Sequence, residues 1–519
     1  MNSKSIRAVV FVSVGVLALM GLLLWLGAAP PVWADPAPRY VAPDGDDSKT
    51  CDSIPNRCRT IQRAIDVSGT GDEIYVSGGT YTSAIGTVAV ITKELVLEGG
   101  YALDFSAHDP DLYQTVLDAQ WGGSVISITN AGDVLLHFLT LTHGDGAGNC
   151  FSGGCGGGIY LKDTNVHIGH CVITDNVGGT AGNGAGGGIY VNNYNTDSHV
   201  DVWGSRIVSN TANTELSSSS GGSGGGMYIS GGTVSLRENQ VLDNVGHVSY
   251  LGSGGGIDLE TVSGAEVLTN TIRGNKAATS NWSSYGGGLL LSSSSAVYVA
   301  GNHIEDNWTN PTGGSGYGAG VLVWYSDAHL ARNTIISNSM GITAIPFGKG
   351  VYIESTTPVT LSNNLIARNA ADVYGGAVCV GRYSSPASQA LLVNNTIADN
   401  GGSGVVAQWY AVVTMTNNLI ATHTVGLTNT YPASSTISAD TNLFWNTNDP
   451  ITGTNAVWQD PLLTADYHLG SGSPAMDAGL TISWLTVDLE GNPRPQGAKY
   501  DIGAFEEVKV YLPLILKGY

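Results

Sequence analysis

Gly156-Gly157-Gly158-Ile159-Tyr160-Leu161 returns as Gly186-Gly187-Gly188-Ile189-Tyr190-Val191 and again as Gly224-Gly225-Gly226-Met227-Tyr228-Ile229. The same line, small residues followed by apolar, variable, apolar, recurs at 254–259, 286–291, 318–323, 348–353, 375–380 and, more weakly, 402–407. The copies lie 27 to 38 residues apart. A period in this range with strand-length pieces marks stacked coils rather than a globular core.

Two further lines keep phase with the first. One is Asn-x-apolar-x-x-Asn, as in Asn270/Ile272/Asn275, Asn302/Ile304/Asn307, Asn333/Ile335/Asn338, Asn364/Ile366/Asn369 and Asn395/Ile397/Asn400. Earlier coils keep only the closing Asn, as in Cys171/Ile173/Asn176. The other is an alternation, Val166/Ile168, Val200/Val202, Val234/Leu236 and onward to Val413/Met415. Each coil therefore reads as three short strands of period two. Paired only with their counterparts one turn away, they make an all-β parallel β-helix of roughly 12 coils at ~4.8 Å spacing. Glycine is expected to take the left-handed corner before the first strand. Asn is expected to tolerate that conformation at the corner between the second and third strands and to stack its amides there along the axis.

The pattern resembles the right-handed parallel β-helix, pectate-lyase-like superfamily. The start, Tyr40–Gly45, Cys58–Ile65 and Gly71–Tyr81, is similar to the cap of many bacterial surface members. Leu97–Tyr101 through Leu139–Gly144 resembles polymorphic outer-membrane-protein-type repeats, and Ser473–Gly479 with Asp488, Arg494-Pro495 and Asp501–Glu506 resembles the choice-of-anchor Q module. The resemblance implies a single right-handed rod. It is poor for function, because this superfamily holds lyases, hydrolases, adhesins and rods without assigned activity.

The expected organisation is a signal peptide over 1–34, an N-terminal cap with a short helix around Thr60–Val67 over 35–72, the β-helix over 73–455, a capping module over 456–507 and an apolar tail over 508–519. Lys4, Arg7, the apolar run 8–26 and Val32-Trp33-Ala34 read as an export signal, so the chain is expected to be secreted or held at the cell surface, and not an integral membrane protein once the signal is cleaved. The tail segment Tyr511–Leu516 is too short to span a bilayer. A net charge of −21 makes nucleic acid and anionic membranes poor partners. Six cysteines in an exported chain suggest disulfides, Cys51–Cys58 and Cys150–Cys155 being the pairs, with Cys171 and Cys379 free. The Ser/Gly-rich loops 211–223 and 277–285 read as disordered spacers, and the rod as a monomer.

The first strand of each coil offers the working face. With Ile159 and Leu161 inward, one outward row holds Tyr160, Tyr190, Tyr228, Asp258, Leu290, Leu322, Tyr352, Cys379 and Val406. The next holds Lys162, Asn192, Ser230, Glu260, Ser292, Trp324, Glu354 and Gln408. Tyr160, Tyr190, Tyr228, Trp324 and Tyr352 suit sugar stacking; the alternative is plain ladder stacking for stability. Asp258 and Glu260, ~6.7 Å apart along one strand, suit an inverting glycosidase or a Ca²⁺ site. Asp477, Asp488 and Asp501 are the other Ca²⁺ candidates, against a structural network with Arg494 and Glu506. The expected function is non-catalytic binding to polysaccharide or another surface. The alternatives are a lyase or hydrolase of acidic polysaccharide, or a structural spacer.

Overall fold

The computed structural model describes residues 38–507 except 151–152, 194–196, 217–219, 280–282, 310–314, 342–345, 370–374, 449–450 and 452. The expected signal peptide and apolar tail lie outside the described residues. The chain winds into a right-handed solenoid of about 11 turns with little helix. In one turn the three strands are Ile159–Lys162, Asn165–Gly169 and Val172–Thr174. Each pairs in parallel with its counterpart above and below; Ile159, for example, is in register with Ile126 and Ile189. The second strands build one 14-stranded sheet. The first- and third-strand ladders merge near the C-terminus, because Thr396–Trp409 and Leu419–Asn429 run through the corner between them without a break.

Inward residues stack in files. Ile159, Ile189, Met227, Ile257, Leu289, Val321 and Val351 are all fully buried, as the repeat required. The left-handed corner before the first strand is held by glycine, with φ 67° at Gly156 and 57° at Gly186. A Cβ at Gly186 would lie 2.3 Å from the Ile189 carbonyl oxygen, so no larger residue fits without moving backbone.

The Asn corners differ from expectation in one respect. The left-handed residue is the one before each Asn: Thr269, Arg332, Asn363 and Asn394 before the first row, Asp243, Asp306 and Ser337 before the closing row. The Asn itself points inward and bonds along the axis. Asn333 Nδ2 donates to Asn364 Oδ1 at 3.0 Å and to the Val299 carbonyl at 2.9 Å, while its amide N–H donates to Asn364 Oδ1 at 2.9 Å. This unit repeats from Asn239 to Asn442 in one row and from Asn176 to Asn400 in the other, where His423 takes the last place. The physical reason for the inversion is that a corner inside a dry core leaves backbone groups unpaired, and only an inward amide can both donate and accept there. Cys171 does occupy an Asn position: its amide donates to Ser205 Oγ, and the Ser205 amide to Asn239 Oδ1.

The loops expected to be spacers are, in their described residues, paired. Val177–Gly179, Thr211–Asn213, Val245–His247 and Lys276–Ala278 form a four-stranded ladder. A second, eight-stranded ladder runs from Ala147–Cys150 to Pro346–Phe347. Loops of similar length on successive turns can stack just as the coils do.

The ends are closed differently. At the N-terminus, helix α1 (Ile61–Val67) is N-capped by Thr60 and lays Ile61, Ala64 and Ile65 over the first turn. At the C-terminus, Ile451 and Ala456 pack on the core end and Trp458 stacks on Phe444 at 4.9 Å. The chain then turns back along the flank: Tyr467, Leu469, Ala475, Ile502, Ala504 and Phe505 cover the outward side of the third strands at Ile336, Leu365, Ala398, Leu419 and Leu443. Asn363, Asn394 and Asn417, the left-handed outward residues, hold it by donating to the carbonyls of Val487, Asp501 and Leu480. Disulfides Cys51–Cys58 and Cys150–Cys155 form, and Cys171 and Cys379 are free and buried. Paired thiols of this kind place the chain outside the cytoplasm.

Candidate functional site

The register of the first-strand face is the expected one, but its two halves present different surfaces. Tyr160, Tyr190 and Tyr228 stack with ring centroids 5.7 and 5.4 Å apart and planes within 9°. Ladder geometry turns their faces toward one another, leaving edges and hydroxyls outward. Only a face offers the apolar surface on which a sugar stacks, so this row is a ladder first. Tyr228 donates its hydroxyl to Glu260.

Asp258 does not stand beside Glu260 as a second surface carboxylate. It is 3% exposed, and a Cβ at Gly254 would lie 2.6 Å from its own Cβ, so the preceding glycine turn covers it. Burial, reinforced by the Glu260 charge, pushes its carboxyl well above the usual range. The expectation of an accessible acid pair fails because the glycine corner is too tight to leave room above the strand.

From Leu290 onward the face is roofed. Leu290, Leu322, Tyr352, Cys379 and Val406 are buried with Phe347, and Tyr285 and Tyr317 pack against them from the eight-stranded ladder. Tyr285, Tyr317 and Phe347 stack at 4.9 and 4.6 Å. Tyr352, expected to meet ligand, is 1% exposed beneath them. Its hydroxyl reaches Glu354 Oε2 at 3.3 Å and the Gly381 carbonyl at 3.1 Å.

The rim of this roof is an aromatic platform. Tyr383 is 57% exposed, and Tyr325 and Tyr431 are each 45% exposed. Tyr383 lies 4.3 Å from Trp409, which stacks on Tyr431 at 5.3 Å with planes 21° apart. Trp324 adjoins Tyr325 at 5.5 Å, and the Arg382 guanidinium sits 5.3 Å over the Tyr325 ring. Tyr325 and Trp409 hold positive φ, 48° and 40°. Asp163, Thr261 and Ser293 take the same conformation at this corner of their own turns, so it belongs to the coil rather than to a site. Glu354 lies among them, accepting from Tyr325 Oη at 3.2 Å. Burial raises its carboxyl above the ordinary value, with the Tyr325 and Tyr352 hydroxyls and Arg382 opposing.

Trp324 alone of the five expected ligand-contacting rings belongs to this platform. Tyr325, Arg382, Tyr383, Trp409 and Tyr431 were missed. Four of them follow directly on the second outward row, at the corner after the first strand, so carrying the register two residues further would have found them. Tyr431 has no such signal.

Other polar groups are committed to structure. Asp488 Oδ1 accepts the amides of Glu490 and Asn492, and its Oδ2 that of Glu506. Asp501 accepts the amides of Asp477 and Glu507, and Asp477 that of Lys499. Arg494 pairs with Glu506 at 2.6 Å in full burial. Among the described residues no three His, Cys, Asp or Glu side chains gather to hold a metal. Ser220 Oγ and His247 Nε2 lie 3.1 Å apart, but His247 Nδ1 accepts two backbone N–H groups, from Ser249 and Tyr250. Its proton therefore sits on Nε2, and it cannot act as base toward Ser220.

The family model for the right-handed β-helix region matches residues 126–385 and 315–444. No curated protein sequence matches the chain. Among solved structures it is similar to XylC in complex with xylose, at 9% identity and TM-score 0.44 over 91% of this chain and 98% of that one. It is also similar to the periplasmic alginate epimerase AlgG, at 11% identity and TM-score 0.37 over 75% and 77%. Pectate lyase Pel9A gives 12% identity and TM-score 0.35 over 91% and 96%. Likeness at these identities concerns the fold alone.

Proposed function

The chain belongs to the right-handed β-helix family, and from that premise we propose that it is an extracytoplasmic polysaccharide-binding rod, secreted or displayed at the cell surface, that binds without cleaving. The supporting observation is the platform of Tyr325, Tyr383, Trp409 and Tyr431 around Glu354 and Arg382. Exposed aromatic rings, Tyr383 foremost, beside a carboxylate and a guanidinium suit a sugar's apolar face and hydroxyls. The stacked tyrosines at 160, 190 and 228 serve the rod. Isothermal titration against soluble oligosaccharides tests the reading. Tyr383→Ala should weaken binding about tenfold, ~1.4 kcal/mol, at unchanged melting temperature. Trp409→Ala should weaken it at least as much but also lower the melting temperature, because Trp409 packs on the roofed cluster. Tyr190→Ala should leave affinity intact. Equal binding by all three variants, or new reducing ends or unsaturated products in the same mixtures, would overturn it.

A further inference from the structure

Resting on the platform as a glycan site, we propose that it takes neutral glycans and rejects uronate-bearing ones, with Glu354 as the residue that sets the preference. The Tyr325 phenol donates to the Glu354 carboxylate, and the Tyr352 hydroxyl lies 3.3 Å from it while also meeting the Gly381 carbonyl at 3.1 Å. What the carboxylate can still offer a ligand is acceptor capacity, which matches a sugar hydroxyl and repels a sugar carboxylate. Arg382 does not reverse this. Its guanidinium is stacked on Tyr325 and its charge already acts on Glu354, so it is not a free cation for a sugar carboxylate.

The surroundings act in the same direction. Three turns away in the same outward row lies Glu260, ~14 Å along the axis at one strand spacing per turn. The row's lysine, Lys162, lies three turns beyond Glu260. A polyuronate lying along the rod would bring a carboxylate with each sugar to a face lacking a matching row of cations, on a chain of net charge −21. A neutral chain meets no such opposition, and its hydroxyls can donate to Glu354 while its apolar faces lie against the exposed rings of Tyr383 and Tyr431.

The test is titration calorimetry on the whole protein with three hexasaccharides: a neutral glucan, a neutral xylan and oligogalacturonate. At ~10 mM salt, where screening is weak, at least one neutral hexamer should bind at least tenfold tighter than oligogalacturonate. Glu354→Gln should narrow that ratio at least threefold by improving the galacturonate arm, and Glu354→Asp should restore it. Oligogalacturonate binding as tightly as the neutral hexamers, or an unchanged ratio in Glu354→Gln, overturns the selectivity while leaving the platform standing. No binding by any hexamer overturns the platform and the selectivity together.

Discussion

Tyr160, Tyr190 and Tyr228 occupy the same register positions as Leu290, Leu322 and Val406 further along the rod, yet the first group stacks half-exposed and the second is sealed under a second layer. The difference lies outside the row. In the N-terminal half the loops over the face are glycine-rich, as in Gly153–Cys155 and Gly221–Ser223, and have little to lay on it. In the C-terminal half the equivalent loop strands carry Tyr285, Tyr317 and Phe347, which cover the aliphatic row and leave an aromatic rim. The corners differ likewise: Cys171 and Ser205 interrupt the first Asn row early on, whereas it is unbroken from Asn239 to Asn442. An outward position is thus defined by what its neighbours in space supply, and the C-terminal half should be the more rigid.

The strongest way to break the contrast is Asn333→Leu. It removes the acceptor of the Asn302 amide and one acceptor of Asn302 Nδ2, which keeps the Val267 and Ala300 carbonyls, and takes a donor from the Val299 carbonyl. With the bulkier leucine forced into the corner, the loss should be roughly 3–5 kcal/mol. Denaturant unfolding measures it, and hydrogen exchange should rise in the C-terminal half specifically. An unchanged midpoint would show that the ladder adds nothing beyond the coil. Next, Phe347→Ala should cost about 3–4 kcal/mol through the cavity under the roof, whereas Tyr190→Ala in the open half should cost about 1 kcal/mol. Similar losses at the two positions would erase the distinction between roof and ladder.

Asn394→Ala removes one outward clamp on the C-terminal segment and should cost about 1–2 kcal/mol, with faster exchange at 475–506 and none at 159–230. The smallest effect concerns pH. Burial holds His423 at about 4, below its ordinary 6.5. Its unfolded form therefore takes up a proton first, and stability is lost as pH falls from about 6.5 toward about 4. At pH 5.5 His423 should contribute ~1 kcal/mol of that loss, and His423→Asn, which also fits the ladder, should lessen the loss by that amount, with buried His329, also held at about 4, supplying a like share. A variant with the same acid sensitivity as the parent would place the proton elsewhere.

Much of this architecture was legible in the residues. Glycine runs, Asn pairs and alternating aliphatics each report a local requirement, so strands, period, inward files, cap helix and disulfide pairs could be read from spacing. The double Asn at 363-364, 394-395 and 417-418 was also present, but its meaning depended on a segment some hundred residues away. The outward row could be enumerated but not interpreted: nothing local distinguishes Asp258 under its glycine turn from Glu260 in the open, or Tyr352 under a roof from Tyr190 beside one.

By itself, then, the sequence determined the repeat, its three strands and which side chains enter the core, because these follow from backbone sterics and from burial that recurs at a constant period. Only the tertiary structure decided which outward residues remain available. Loop strands from successive turns stack on one another, and the C-terminal segment returns along the flank. Burial of an outward side chain is a sum over neighbours distant in the chain, which no local pattern records.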